Sequence, residues 1–126
     1  MGNNRIHQLD NIKWLNWVEE DIEKILRNSG LQEKFDKRVS DDMIFLSENN
    51  SNAIIQRHTI FEKLRGNILC SYKVKQAKNI RILFYIYEND GTELFIFLHA
   101  FEEKKGKRDY DSAIKIAMKR LHRLID

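Results

Sequence analysis

The chain has 126 residues, 33% of them charged, with a formal net charge of +3 and one cysteine. That length suits a single domain, 1–126, able to bury roughly two-thirds of its unfolded surface. A lone Cys70 excludes an internal disulfide framework or a cysteine zinc site, and there is no run of about eighteen apolar residues to cross a membrane, so a cytoplasmic setting is expected.

The opening, MGNNRIHQLDN, is polar and lacks the apolar centre of a secretion signal. Gly2 begins no myristoylation pattern, because position 6 is Ile6. Asn11 to Asn28 is expected as a helix, with Leu15, Val18, Ile22 and Ile25 at three- and four-residue steps and Trp14 and Leu26 widening the stripe. Asp10 or Asn11 can cap its start, and Gly30 can end it. Leu31 to Ser47 follows as a second helix, with Phe35, Val39, Met43 and Leu46 on one face. The short turn between the two predicts an antiparallel helical hairpin. Trp14 and Trp17, at helical spacing, read as core or interface residues.

Glu48 to Asn52 has loop composition, and Ala53 to Leu64 reads as a short helix or irregular connection, with strand character from Ile54 to Ile60. Ile68 to Lys75 is a strand: Ile68, Cys70, Tyr72 and Val74 face one way, and Leu69, Ser71, Lys73 and Lys75 the other. After the Gln76 to Asn79 turn, Ile80 to Glu88 is a second strand. It divides Ile80, Ile82, Phe84 and Ile86 from Arg81, Leu83, Tyr85 and Tyr87. Asn89-Asp90-Gly91 signals a tight hairpin. Thr92 to Phe101 is a third strand, apolar on both faces and so central, with His99 sharing a face with Phe95, Phe97 and Phe101. Glu102 to Arg108 is a charged loop. Asp109 or Asp111 caps a last helix running to about Leu124, with Ala113, Ala117, Leu121 and Leu124 inward and Lys115, Lys119, Arg120 and Arg123 on a basic side. The predicted architecture is α+β: an N-terminal helical hairpin on a small antiparallel sheet of three to four strands, with a C-terminal helix.

Charge divides unevenly along this order. Met1 to Gln56 holds 7 Lys+Arg against 10 Asp+Glu, a net of −3, and Arg57 to Asp126 holds 15 against 9, a net of +6. A basic sheet and final helix favour a polyanionic partner. No phosphate-binding glycine loop, HExxH or Cys/His metal cluster is present, no cofactor is expected, and His7, His58, His99 and His122 are scattered. What remains is a cationic strand face: Lys73, Lys75, Arg81 and His99, then Lys104, Lys105 and Lys107. Such a face can hold phosphate. It can also cleave RNA by 2′-OH attack if a base, an acid and cations at the phosphorane are in place; a lysine is a candidate base, and His99 or Tyr85 a candidate acid. The plainer reading is a solvated cationic face with His99 packed in the core.

The ordered set LRGNILCSYKVK, IRILFYI, NDG, LHAFEEKKGK and AIKIAMKR resembles the RelE/ParE toxin superfamily, closest to its HigB-like branch, over about Phe61 to Arg123. Arg81 matches the arginine opening the second strand motif. His99 and Phe101 match Leu-His-x-Phe, Lys104 and Lys105 match the lysine pair, and Ala117 and Arg120 match the helix motif. Lys73 falls where the family often has Arg, whereas Ser71 and Tyr72 replace the Glu-Leu of Glu-Leu-Arg. The family's N-terminal strand has no clear counterpart, Arg5 to Leu9 being short and polar. The resemblance implies a type II toxin with a RelE-like fold. It would be a ribosome-dependent mRNA endoribonuclease, held in a hetero-oligomeric complex by a helix-turn-helix antitoxin of the HigA type. It casts Lys73, Arg81, His99 and Lys104 as catalytic and Lys75, Lys105, Lys107 and Arg120 as RNA-binding, with no metal. A ParE-like gyrase inhibitor and a non-toxic binding module of the same fold are the alternatives.

Overall fold

The computed structural model describes residues 8–125. The readings made on Gly2, Ile6 and His7, and on most of the Arg5 to Leu9 segment, lie outside the described residues. In chain order the elements are β1 (Ile12–Trp14), α1 (Asn16–Leu26), α2 (Gln32–Asn49), α3 (Asn52–Gln56), β2 (Phe61–Lys63), β3 (Leu69–Val74), β4 (Ile80–Asn89), β5 (Thr92–Glu102) and α4 (Lys107–Ile125). The strands form one sheet of order β1-β5-β4-β3-β2, with β1 parallel to β5 and every other pair antiparallel.

The α+β class and the C-terminal helix are present. The N-terminal helical hairpin is not, and the sheet is mixed and five-stranded rather than antiparallel with three to four strands. Residues expected to begin the first helix form β1 instead. Ile12, Lys13 and Trp14 align with Phe95, Ile96 and Phe97 of β5. Asn11 anchors this start, donating to the Ser47 carbonyl at 2.9 Å and accepting from the Ser47 hydroxyl at 2.6 Å. Helix α1 then lies along β5, while α2 approaches α3 and β3, so the two helices pack on other elements rather than as a pair. The Ala53 to Leu64 stretch divides into α3 and the edge strand β2, whose register pairs Phe61 with Tyr72. The β4–β5 hairpin closes as expected: Asn89 pairs with Thr92, and Asp90 and Gly91 both adopt positive φ.

Two apolar clusters lie on opposite sides of the sheet. The larger joins Phe61, Tyr72, Ile82, Phe84, Phe95 and Phe97 to Val18 and Ile22 of α1 and to Phe35, Val39 and Met43 of α2. Trp14 stacks on Phe97 at 5.3 Å within it, as a core residue. The smaller joins Leu69, Leu83, Ile96 and Leu98 to Ala113, Ala117 and Leu121 of α4. The larger cluster also encloses a carboxylate. Asp42 is fully buried, accepting from the Tyr72 hydroxyl at 2.6 Å and from Arg57 at 3.2 Å. Burial raises its pKa, and the Tyr72 hydroxyl, Arg38 and Arg57 offset only part of that.

A bulge in β5 departs from simple alternation. Leu83 pairs with His99 but Phe84 pairs with Phe97, so Leu98 has no opposite number. The extra residue turns the strand over. Phe95 and Phe97 stay in the larger cluster, while His99 stacks on Phe101, which packs on the α4 side. His99 therefore shares a face with Phe101 but not with Phe95 and Phe97, contrary to strict period-2 counting.

Phe84 sits at the centre of the larger cluster, 4.7 Å from Phe97 and 6.2 Å from Phe61 between ring centroids. Phe84→Ala is expected to lower unfolding free energy by about 3–5 kcal/mol in urea denaturation. The exposed Ile55→Ala is expected to stay within about 0.5 kcal/mol.

Candidate functional site

Strand pairing brings Lys73, Arg81 and His99 to one side of the sheet. Lys73 is opposite Arg81, Arg81 is opposite Phe101, and one step along Ser71 is opposite Leu83, which is opposite His99. This is the side that α4 partly covers. Tyr110 of α4 reaches the same row: its hydroxyl lies 3.0 Å from the Ser71 Oγ, and its ring meets Phe101 edge-on at 5.1 Å. The sequence offered no periodic signal for Tyr110, because its neighbour Ser71 is thirty-nine positions away. Tyr85 lies on the same strand four residues beyond Arg81, about 13 Å along it.

Lys75 follows β3, and Lys104 and Lys105 follow β5, at the end of the sheet where Val74, Ile80 and Glu102 align. Lys107 opens α4. All four lysines are exposed. A lysine run was legible in the sequence; its carboxylate partners were not. Lys73 Nζ lies 3.2 Å from Glu62, Arg81 Nε donates to Glu103 at 2.7 Å, and Lys104 Nζ lies 3.7 Å from Glu102. The amides of Lys104 and Lys105 both donate to Asp109, and these bonds hold the Asp109 carboxyl below its ordinary range. Asp109 thus folds the lysine loop back onto the first turn of α4.

Arg81 differs from the lysines. It is only 8% exposed, and its Nη1 is buried with no hydrogen-bond partner among the described residues. An unmet buried donor costs about 1–3 kcal/mol, so an acceptor brought to this guanidinium nitrogen would be rewarded. The other unmet buried donor among the described residues, Trp14 Nε1, lies in the larger cluster away from the cations.

His99 is held from the other side by Asp21 of α1. Its Nδ1 lies 3.1 Å from Asp21 Oδ2 and 3.2 Å from Arg120 Nη1. Asp21 can only accept at Nδ1 and Arg120 can only donate there, so the two contacts favour opposite tautomers while together fixing the orientation of the ring. Asp21 Oδ2 also accepts from the Ala100 amide at 3.1 Å and from Arg120 at 2.8 Å, and Arg120 donates to the Leu98 carbonyl at 2.8 Å. Arg120 is therefore turned inward, into a bridge joining α1, β5 and α4. Contact with RNA would require that bridge to open. Trp17 packs against the smaller cluster, with Arg120 and Arg123 over its ring at 5.4 and 5.9 Å.

Cys70 provides no nucleophile: it is buried, and burial pushes its thiol up to about 11. Among the described residues no group of three or more His, Cys, Asp or Glu is placed to hold a metal ion, and no helix is long and apolar enough to cross a membrane. No family model, curated protein or solved structure matches this chain.

Burial works to raise the Asp21 carboxyl, but bonds from His99, Arg120 and the Ala100 amide outweigh it and lower its pKa below the ordinary 3.8. A depressed carboxyl contributes stability above its unfolded value, and that contribution is lost as pH falls through the folded value. Asp21→Asn is expected to be less stable than wild type at pH 7. The gap should narrow below about pH 4, as measured by thermal unfolding across pH.

Proposed function

We propose that this chain is the toxin of a type II toxin–antitoxin system: a ribosome-dependent mRNA endoribonuclease that halts translation and is neutralised by a helix-turn-helix antitoxin. The observation that carries the reading is the meeting of Lys73, Arg81 and His99 on one side of the sheet, at adjacent register positions. Arg81, His99 and Phe101 are motif positions of the RelE/ParE resemblance, and they were separated in the sequence by a hairpin. A strand ahead of the helices, Ile12–Trp14, agrees with the same reading, because that family carries one.

The chemistry follows from the groups present. The 2′-oxygen attacks the adjacent phosphorus, a base takes its proton, and the P–O5′ bond breaks as an acid protonates the leaving oxygen. Lys73 and Arg81 hold the phosphate and stabilise the charge that builds on the phosphorane. His99, oriented through Nδ1 by Asp21, presents Nε2 for proton transfer. Lys104, just beyond β5, stands as a second acid–base group. Lys75, Lys105 and Lys107 extend a positive rim for the RNA backbone, whose hold weakens with salt. In this role the protein works in the cytoplasm, at the ribosome.

Expressed without an antitoxin, the wild-type chain is expected to arrest growth and translation and to leave discrete cuts in transcripts by primer extension. Lys73→Ala with Arg81→Ala is expected to reduce cleavage by about a hundredfold or more and restore growth, with the protein still folded. Normal growth with folded wild-type protein in the cell would count against the proposal. DNA damage without transcript cuts would redirect it to a gyrase-binding toxin.

A further inference from the structure

Glu103 is not among the residues singled out by sequence motif, yet among the described residues it is the carboxylate paired with the buried guanidinium. Its Oε1 accepts from Arg81 Nε at 2.7 Å, and its own backbone is fixed, the Glu103 amide donating to the Asn79 carbonyl at 3.1 Å. The donors of a guanidinium lie in one rigid plane. A carboxylate on Nε therefore sets where the Nη nitrogens point. Nη1 is the atom that this arrangement leaves buried and unpaired among the described residues.

We propose that Glu103 is the positioning residue for Arg81. It occupies the Nε edge and thereby reserves the Nη edge for a phosphate oxygen of a single-stranded RNA. The inference rests on reading this face as the RNA-cleaving site. Lys73, directly across from Arg81, supplies the second cation, and Glu62 holds it at 3.2 Å until the polyanion replaces that carboxylate. Nη1 is covered in the free protein, so a phosphate reaches it only when that cover moves, and Glu103 keeps the guanidinium in place meanwhile.

The test uses the full chain and a labelled 2′-O-methyl oligoribonucleotide, which keeps the phosphates but has no free 2′-OH to react. Binding is read by fluorescence anisotropy, and folding by thermal denaturation. Glu103→Gln keeps a neutral acceptor for Nε and is expected to bind within about threefold of wild type. Glu103→Ala releases the guanidinium and is expected to bind on the order of tenfold more weakly. Its Arg81 Nε–Hε NMR signal should lose the exchange protection that the Gln variant retains. If Glu103→Ala does not fold, Glu103→Asp replaces it: the charge is kept, the acceptor is withdrawn by one methylene, and weaker binding is again expected. Arg81→Lys, with no second donor edge, is expected to lose binding. Glu103→Ala binding as tightly as wild type or tighter, while Arg81→Lys fails, would make Glu103 a competitor of phosphate and overturn the proposal. Unchanged binding by Arg81→Lys, or none by wild type, also overturns it. These binding ratios do not depend on cleavage, so a chain that proves non-toxic yet shows the Gln–Ala contrast refutes the nuclease reading and supports the positioning role.

Discussion

Strand β5 is apolar on both faces, yet its outer edge is only half paired. Strand β1 covers it at Phe95 to Phe97 and stops, leaving the Leu98 carbonyl and the Ala100 amide facing an edge with no strand among the described residues. Unmet backbone groups at a buried edge are costly. The structure satisfies them with a side-chain bridge: Arg120 donates to Leu98, and Asp21 accepts from Ala100. Asp21 and Arg120 also bond to each other, so one ion pair ties α1 and α4 to the sheet at the point where β5 bulges. Bulge and bridge belong together, because the bulge turns His99 toward the α4 side and Asp21 is there to receive its Nδ1.

The same arrangement separates two kinds of cation. Arg120 and Arg81 are both turned inward on carboxylates, and Lys73 is held less tightly, whereas Lys75, Lys105 and Lys107 are exposed. Motif reading treats these residues alike, as positive charges on one face. Their surroundings give them different work. Arg120 braces the fold. Arg81 is held at one edge by Glu103 and unmet at another, and the lysines form a rim. A cationic face in which several members are already matched to Glu62, Glu102 and Glu103 is not a simple counter-surface for polyanions. A ligand on this face must offer more than those carboxylates do.

Much of the sheet was legible in the sequence. Alternation in β3 and β4 assigned the right residues to each face, and Asn89-Asp90-Gly91 located the hairpin, because both signals are local. The start of the chain misled for the same reason. Leu15, Val18 and Ile22 repeat at helical spacing, but Leu15 joins the smaller cluster while Val18 and Ile22 join the larger. Between β1 and α1 the chain sends Leu15 and Trp17 to the smaller cluster, while Trp14 before them and Val18 after them stay in the larger. A three-residue parallel strand has too little sequence to announce itself; its pairing energy comes from β5, some eighty residues away. The site was half legible. Its cations stood out as residue types, whereas Tyr110, Asp21 and Glu103 became partners only through folding.

By itself the sequence determined what depends on near neighbours: an α+β class, three strands with one cationic face, a tight turn, and a final helix with small residues inward and Lys115, Lys119 and Arg123 outward. These follow from backbone periodicity and side-chain type over a few residues. Tertiary structure alone decided the fifth strand, the bulge that moves His99 from the aromatic core to the α4 side, the inward turn of Arg120, and the pairing of Lys73, Arg81 and Lys104 with Glu62, Glu103 and Glu102. Those outcomes rest on hydrogen bonds and ion pairs between distant segments.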